Sequence, residues 1–183
     1  SEGYTLVLYE GFRPREVQSA VNVDLQALMN SDSTVNKAIT NGGWGKSWFI
    51  ATSVSNHQKG FAIDISLAKI EETETITVDG RPVIIPSKYT ELEMPTAMHE
   101  LSPAAATLSY GVNSKSDTAW RKVPLASTMT DGAKKLQAYC VAAGMSPLAS
   151  EWWHFNDLAA RAETSAAGSG LFYITGNMSG ATT

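Results

Sequence analysis

The sequence contains a single cysteine, Cys140, in 183 residues. It offers no intrachain disulfide and no thiolate zinc cluster. Charge is scarce as well: Asp, Glu, Lys and Arg make up 17% of the chain, against about 25% in an average domain. With 18 acids and 14 bases the net charge is −4. Lysine and arginine form no cluster, which removes the electrostatic footprint of a nucleic-acid surface. No apolar run approaches the roughly 18 residues a membrane-spanning helix needs. Histidine is rarest among the groups that titrate near neutrality, with three copies: His57, His99 and His154.

What is present describes a folded α+β chain. Hydrophobic residues are 43%, enough for a core, and a chain of this length can bury about 70% of its unfolded surface without staples. Residues 4–9 (YTLVLY) read as a strand, broken by Gly11 and Pro14. Pro14 suits the first turn of a helix, and residues 15–29 carry Val17, Val21, Leu25 and Leu28 at helical spacing. A loop is expected at Asn41 to Gly45, a short strand at 49–53 and a better one at 61–67 (FAIDISL). In the latter Phe61, Ile63, Ile65 and Leu67 share one face, and Ala62, Asp64 and Ser66 the other. Residues 71–87 read as a hairpin around Asp79-Gly80, the preferred two-residue turn, and Pro82 and Pro86 mark its return strand as an edge. A helix is expected over 130–143, capped by Thr130 or Asp131 and ended by Gly144. Cys140 sits on its apolar side as a small buried hydrophobe. Strands follow at 151–155 (EWWHF) and in LFYIT near the end. The irregular mix of strands and helices predicts an α+β fold with helices around an antiparallel sheet. No linker divides it, so residues 1–183 are taken as one domain. The chain opens on Ser1 without a basic and apolar leader and reads as a mature chain or a fragment without its natural upstream segment.

Two histidines lie in dense polar or aromatic contexts: Ser55-Asn-His57-Gln-Lys-Gly60-Phe-Ala62-Ile-Asp64 and Glu151-Trp-Trp-His154. A turn at Gly60 would let His57 and Asp64 converge. A catalytic zinc takes three His or carboxylate ligands and leaves one position open, and a nearby carboxylate that is not a ligand serves as proton acceptor. Two His, one Asp and a spare Glu satisfy that set, and Arg13 adds a fixed cation for a developing oxyanion.

The pattern Ser55-x-His57-x-x-Gly60-x-Ala62-x-Asp64, followed by Glu151-x-x-His154, resembles the signature of the D-alanyl-D-alanine dipeptidase and D,D-carboxypeptidase family. These are zinc peptidases of the vancomycin-resistance type. The run Glu10-Gly-Phe-Arg13-Pro14 resembles the family's acidic-x-aromatic-Arg-Pro element. The resemblance implies that His57, Asp64 and His154 bind one Zn2+ and that Glu151 is the general base. It also implies that Arg13 stabilises the scissile carbonyl oxygen and that Ser55 helps hold the terminal carboxylate of the substrate. It further implies a small α+β domain whose central antiparallel sheet carries the metal. Where dipeptidases carry an acid for the substrate amine, this chain has His99, a poor partner for an ammonium. Longer stem peptides are therefore expected over the free dipeptide.

The residues keep other readings open. Arg13 could pair structurally with Glu10 or Asp64, and Ser55 could cap its loop. His99 could edge the pocket, add a ligand or face solvent. Trp152 and Trp153 are expected to divide between core and pocket wall, with Trp153 as a substrate contact. The expected function is zinc-dependent hydrolysis of the terminal D-Ala-D-Ala bond of peptidoglycan stem peptides, outside the membrane in the bacterial envelope. The alternatives are a zinc endopeptidase on other stem-peptide bonds and an inactive, metal-containing module that binds wall peptides. No nucleic-acid partner and no membrane span are expected.

Overall fold

The apolar alternation at 61–67 becomes the start of a strand much longer than its motif. The computed structural model describes residues 2–52 and 54–166. In it β1 (Tyr4–Glu10) pairs antiparallel with β2 (Ala62–Val78), which runs through both the FAIDISL and TITV segments without a break. Strand β3 (Arg81–Glu91) returns along the far part of β2. The Asp79-Gly80 turn between them has φ of 48° and 76°, the positive pair that a two-residue hairpin requires. The hairpin expected at 71–87 is therefore the outer part of one long antiparallel pair. Pro82 and Pro86 lie on β3, whose only pairing among the described residues is with β2, so the missing N–H groups can face away from the ladder.

Two further strands complete the sheet. β4 (Ser146–Leu148) pairs with β5 (Glu151–Asn156), and β5 pairs with the first residues of β2. The order is β1-β2-β5-β4, with β3 joined to β2. The fold is α+β with an antiparallel five-stranded sheet, as the sequence predicts.

Helix α1 (Arg15–Ser31) begins directly after Pro14, and α2 (Ser33–Thr40) follows it across Asp32. The Asp32 carboxylate accepts from the backbone N–H groups of Thr34 and Val35 and so caps α2. The short strand expected at 49–53 is not formed over 49–52. Phe49 instead closes a single helical turn, α3 (Lys46–Phe49), and residues 50–52 form neither helix nor strand. Phe49 joins Trp44, Met29, Leu108 and Trp120 in a buried cluster, with Trp48 packed against it. Tertiary burial of neighbouring aromatics overrides the local β preference of that run.

Helix α4 (Asp131–Ala142) is capped by Thr130, whose hydroxyl accepts from Ala133 N–H at 3.2 Å and donates to the Glu93 carbonyl at 2.7 Å. Gly144, at φ 88°, follows the helix end. Leu136 and Cys140 of α4 pack with Ile65, Leu67 and Phe155 from the sheet. Truncating a fully buried leucine such as Leu136 costs about 2–5 kcal/mol. Helix α5 (Leu158–Ala166) follows β5. The strand expected in LFYIT lies outside the described residues.

Candidate metal centre

Three side chains from distant parts of the sequence meet at one point. Asp64 on β2 and His154 on β5 are directly paired across the ladder, which places their Cβ atoms on one face about 5 Å apart. His57 arrives from a 3-10 turn, His57–Lys59, that closes on Gly60 at φ 72°. That left-handed conformation costs a residue with a Cβ about 1–2 kcal/mol, so glycine makes the sharp return into β2 possible. His154 Nδ1 lies 3.0 Å from Asp64 Oδ1 and 3.0 Å from His57 Nε2, and the third side, His57 Nε2 to Asp64 Oδ1, is 3.3 Å. All three residues are buried.

The outer hydrogen bonds decide which ring atoms face inward. His57 Nδ1 lies 2.9 Å from the Gly11 carbonyl, which can only accept. Nδ1 therefore carries the proton, and Nε2 of the neutral ring turns a lone pair inward. The Asn156 amide oxygen accepts from Asn56 Nδ2 at 2.7 Å and lies 3.1 Å from His154 Nε2. That makes Nε2 of His154 the donor and Nδ1 the inward lone pair. Two lone pairs and a carboxylate oxygen then face one another with no proton between them, an arrangement that a cation stabilises. Ligand atoms of a tetrahedral zinc with bonds of about 2.0–2.1 Å stand ~3.3–3.4 Å apart, close to the triangle of 3.0, 3.0 and 3.3 Å. His57, Asp64 and His154 form a buried group that can hold a metal ion.

Burial opposes the charge on Asp64, but the three histidines that face it, His154, His57 and His99, hold its carboxyl well below the usual range. His99 approaches from outside: its Nε2 is 3.0 Å from Asp64 Oδ2, the oxygen turned away from the triangle. Its own backbone has φ 62°, and its ring meets Trp153 edge-on at 5.7 Å between centroids. Glu10, Asp64 and His99 also cluster at metal-binding distance. A cation already stands there, because the Arg13 guanidinium pairs with both oxygens of Glu10 and lies 3.6 Å from Asp64 Oδ2.

Arg13 is thus both ion-paired and a wall of the site. Its Nη1 donates to Gln18 Oε1 at 2.9 Å, and Gln18 in turn donates to the Ala51 carbonyl at 2.7 Å. Burial works against the guanidinium charge, and Glu10, Asp64 and Glu151 more than restore it.

Glu151 Oε2 is 3.7 Å from His154 Nδ1. Residues three apart on a regular strand point to opposite faces. Here the β4–β5 register slips between Pro147 and Leu148, whose partners jump from Phe155 to Glu151. That irregularity brings Glu151 round to the histidine. Burial first, then the negative charge of Asp64, pushes the Glu151 carboxyl well above its ordinary range, with Arg13 pulling the other way.

Ser55 lies in the wall, but its hydroxyl accepts from Gln58 N–H at 3.4 Å while Gln58 Oε1 accepts from Ser55 N–H at 2.9 Å. This reciprocal pair is a capping box for the turn that carries His57. Trp152 and Trp153 are both core residues; Trp152 Nε1 donates to Thr96 Oγ1 at 3.0 Å, and Trp153 also lines a cleft. Three partners of the site are absent from the sequence reading: the Gly11 carbonyl, Asn156 and Gln18. Asn156 was accessible through the strand period, two residues past His154. A backbone carbonyl gives no side-chain signal.

Two clefts meet at Arg13 and Glu151. One, of about 400 Å³, has Ser55, His57 and His154 in its wall. The other, of about 410 Å³, is walled by Val17, Val21, Ile50, Leu101 and Trp153, with His99 at its edge. No helix among the described residues is long and apolar enough to cross a membrane. No family model matches the chain, and no curated protein matches it.

Proposed function

We propose that the chain is a zinc peptidase of the bacterial cell envelope that hydrolyses the terminal D-Ala-D-Ala bond of peptidoglycan stem peptides. The observation that carries this reading is the inward-facing triangle of His57, Asp64 and His154 with a buried, non-ligand carboxyl, Glu151, 3.7 Å from its edge. The substrate class comes from the resemblance of the motifs around these residues to the D,D-peptidases.

Zinc held by His57, Asp64 and His154 would supply Lewis acidity and bring the pKa of a water toward about 7. The chain's own residues do the rest. Glu151 takes a proton from the attacking water. The water oxygen bonds to the scissile carbonyl carbon, the C–N bond breaks, and Glu151 returns the proton to the departing amine. A carboxyl held above its usual range is suited to this exchange. Arg13, fixed by Glu10 and Gln18, presents its charge where the carbonyl oxygen becomes negative. His99 is occupied with Asp64 and offers no negative charge to a substrate ammonium. This favours a carboxypeptidase acting on longer peptides over a strict dipeptidase.

The test is D-alanine release from free D-Ala-D-Ala, a stem pentapeptide and an all-L control, each with and without a chelator. Chelator-sensitive release from the pentapeptide is the expected result. Release from the dipeptide alone would restore the dipeptidase reading. Silence on all three with zinc bound would overturn the D-Ala-D-Ala assignment.

A further inference from the structure

Gln18 and Met29 are the buried residues of α1. A methionine inside is ordinary, whereas a buried amide needs a partner at each of its ends. Gln18 is 3% exposed, on a helix that leaves the adjacent Val17 44% exposed. Its Nε2 donates to the Ala51 carbonyl at 2.7 Å. A carbonyl only accepts, so the amide has one orientation, with Oε1 turned to Arg13 Nη1 at 2.9 Å. Glu10 holds the other side of the guanidinium through Nε and Nη2. Arg13 is thereby fixed between two acceptors. Its Nη2 stands 3.6 Å from Asp64 Oδ2, beyond hydrogen-bond range.

We propose that Gln18 is a positioning residue that keeps the Arg13 guanidinium off Asp64, so that the carboxylate is left to the metal and the cation to the substrate. The inference rests on the reading above, in which Asp64 is a ligand and Arg13 faces the carbonyl oxygen. Without the Gln18 oxygen, Arg13 Nη1 loses its acceptor in a largely buried place, where an unmet donor is costly. Asp64 Oδ2 already stands close to the guanidinium, and turning onto it gains a charge-assisted hydrogen bond. That bond draws negative charge away from a cation in the triangle of His57, Asp64 and His154. It also spends an N–H group that otherwise faces the cleft.

The experiment is a double-mutant cycle on zinc affinity, measured by competition titration on the full chain. Gln18→Met keeps the length and helix propensity of the side chain but not its strong acceptor. It should weaken zinc binding about tenfold, the scale on which outer partners of a metal act. In the Arg13→Met background the same substitution should change nothing, because no guanidinium is left to turn. Gln18→Glu keeps an oxygen for Arg13 Nη1, gives up the donor to Ala51, and should hold zinc as the native chain does. Asn22→Ala removes the second amide on the Ala51 carbonyl, at 3.3 Å, without touching Arg13, and should also leave zinc affinity unchanged. Unaltered affinity in Gln18→Met, or equal weakening with and without Arg13, would overturn the inference. Weakening by Gln18→Glu or Asn22→Ala would overturn it too, reducing Gln18 to a clamp on the segment around Ala51. Coupling between Gln18 and Arg13 with no D-alanine release by the native chain would uphold the brace and sink the peptidase. Release without coupling would do the reverse, and a native chain that binds no zinc would overturn both.

Discussion

The amide oxygen of Asn156 stands 3.1 Å from Nε2 of His154, two residues earlier on the same strand, and determines which nitrogen of that ring faces Asp64. His99 does the corresponding work for Asp64 itself, holding the outer oxygen at 3.0 Å. Neither belongs to the inward-facing triangle, and both orient members of it. Outer partners of this kind are worth about 10- to 100-fold in metal affinity. Asn156→Ala and His99→Ala should each weaken zinc binding by that order in competition titrations while leaving the far-UV circular dichroism unchanged. Unaltered affinity in both variants would show that the rings need no such orientation.

Glu151 gives a prediction whose sign depends on pH. In the metal-free chain its carboxyl is held above the unfolded value of about 4.3. As pH rises past that value the unfolded chain loses the proton first, so stability falls until the folded carboxyl has also ionised. Asp64 runs the other way: its depressed carboxyl stabilises above about pH 3.9 and is lost only on acidification through its folded value. Between about pH 5 and 8 Glu151 is therefore the group of the two that works against folding. Glu151→Gln should raise the Tm of the chelated chain by more at pH 8 than at pH 5, and should abolish turnover with zinc still bound. An equal Tm change at both pH values would contradict the direction of the shift.

Gly60 ends the turn that carries His57 at φ 72°. Gly60→Ala should cost about 1–2 kcal/mol, or about 2–8 °C in Tm for a chain of this size. It should also weaken metal binding, because His57 is displaced with the turn. Gly80, at φ 76° in the hairpin turn with no atom near its absent Cβ, is the control. Gly80→Ala pays a similar local cost but should leave metal affinity intact. Equal metal affinity in the two variants would detach the turn from the site.

Burial raises the Cys140 thiol to about 12, within the core against α4 and the sheet. A thiolate-specific reagent should therefore label the native chain only at the rate of unfolding. Stoichiometric labelling within seconds in native buffer would show that Cys140 is reached without unfolding.

The sequence exposed those parts of the molecule that rest on short-range rules. Pro14 before a 3.6-residue repeat marked α1, Asp79-Gly80 marked the hairpin, and Thr130 with Gly144 bracketed α4, because caps and turns act within a few residues. His57, Asp64, Glu151 and His154 stood out by residue type and spacing. What escaped depended on distant packing. The run from Phe49 favours a strand locally, yet Phe49 closes a helical turn because Met29, Leu108 and Trp120 bury it. The slip at Pro147 and Leu148, which turns Glu151 toward His154, is a property of paired strands and has no mark in either one alone. The same holds for Gly11, whose contribution is a backbone carbonyl.

The long strand β2 carries two different neighbourhoods on one backbone. Asp64 lies where β1 and β5 flank it on either side, whereas from Glu72 to Val78 its ladder partner is β3. The outer pair is thus an appendage that hangs from the site strand without sharing the rungs that set Asp64 against His154. Its length is a free parameter of the architecture. Shortening it by matched pairs of residues, or grafting a foreign loop at the Asp79-Gly80 tip, alters the reach of the arm and leaves the register of the centre where it is.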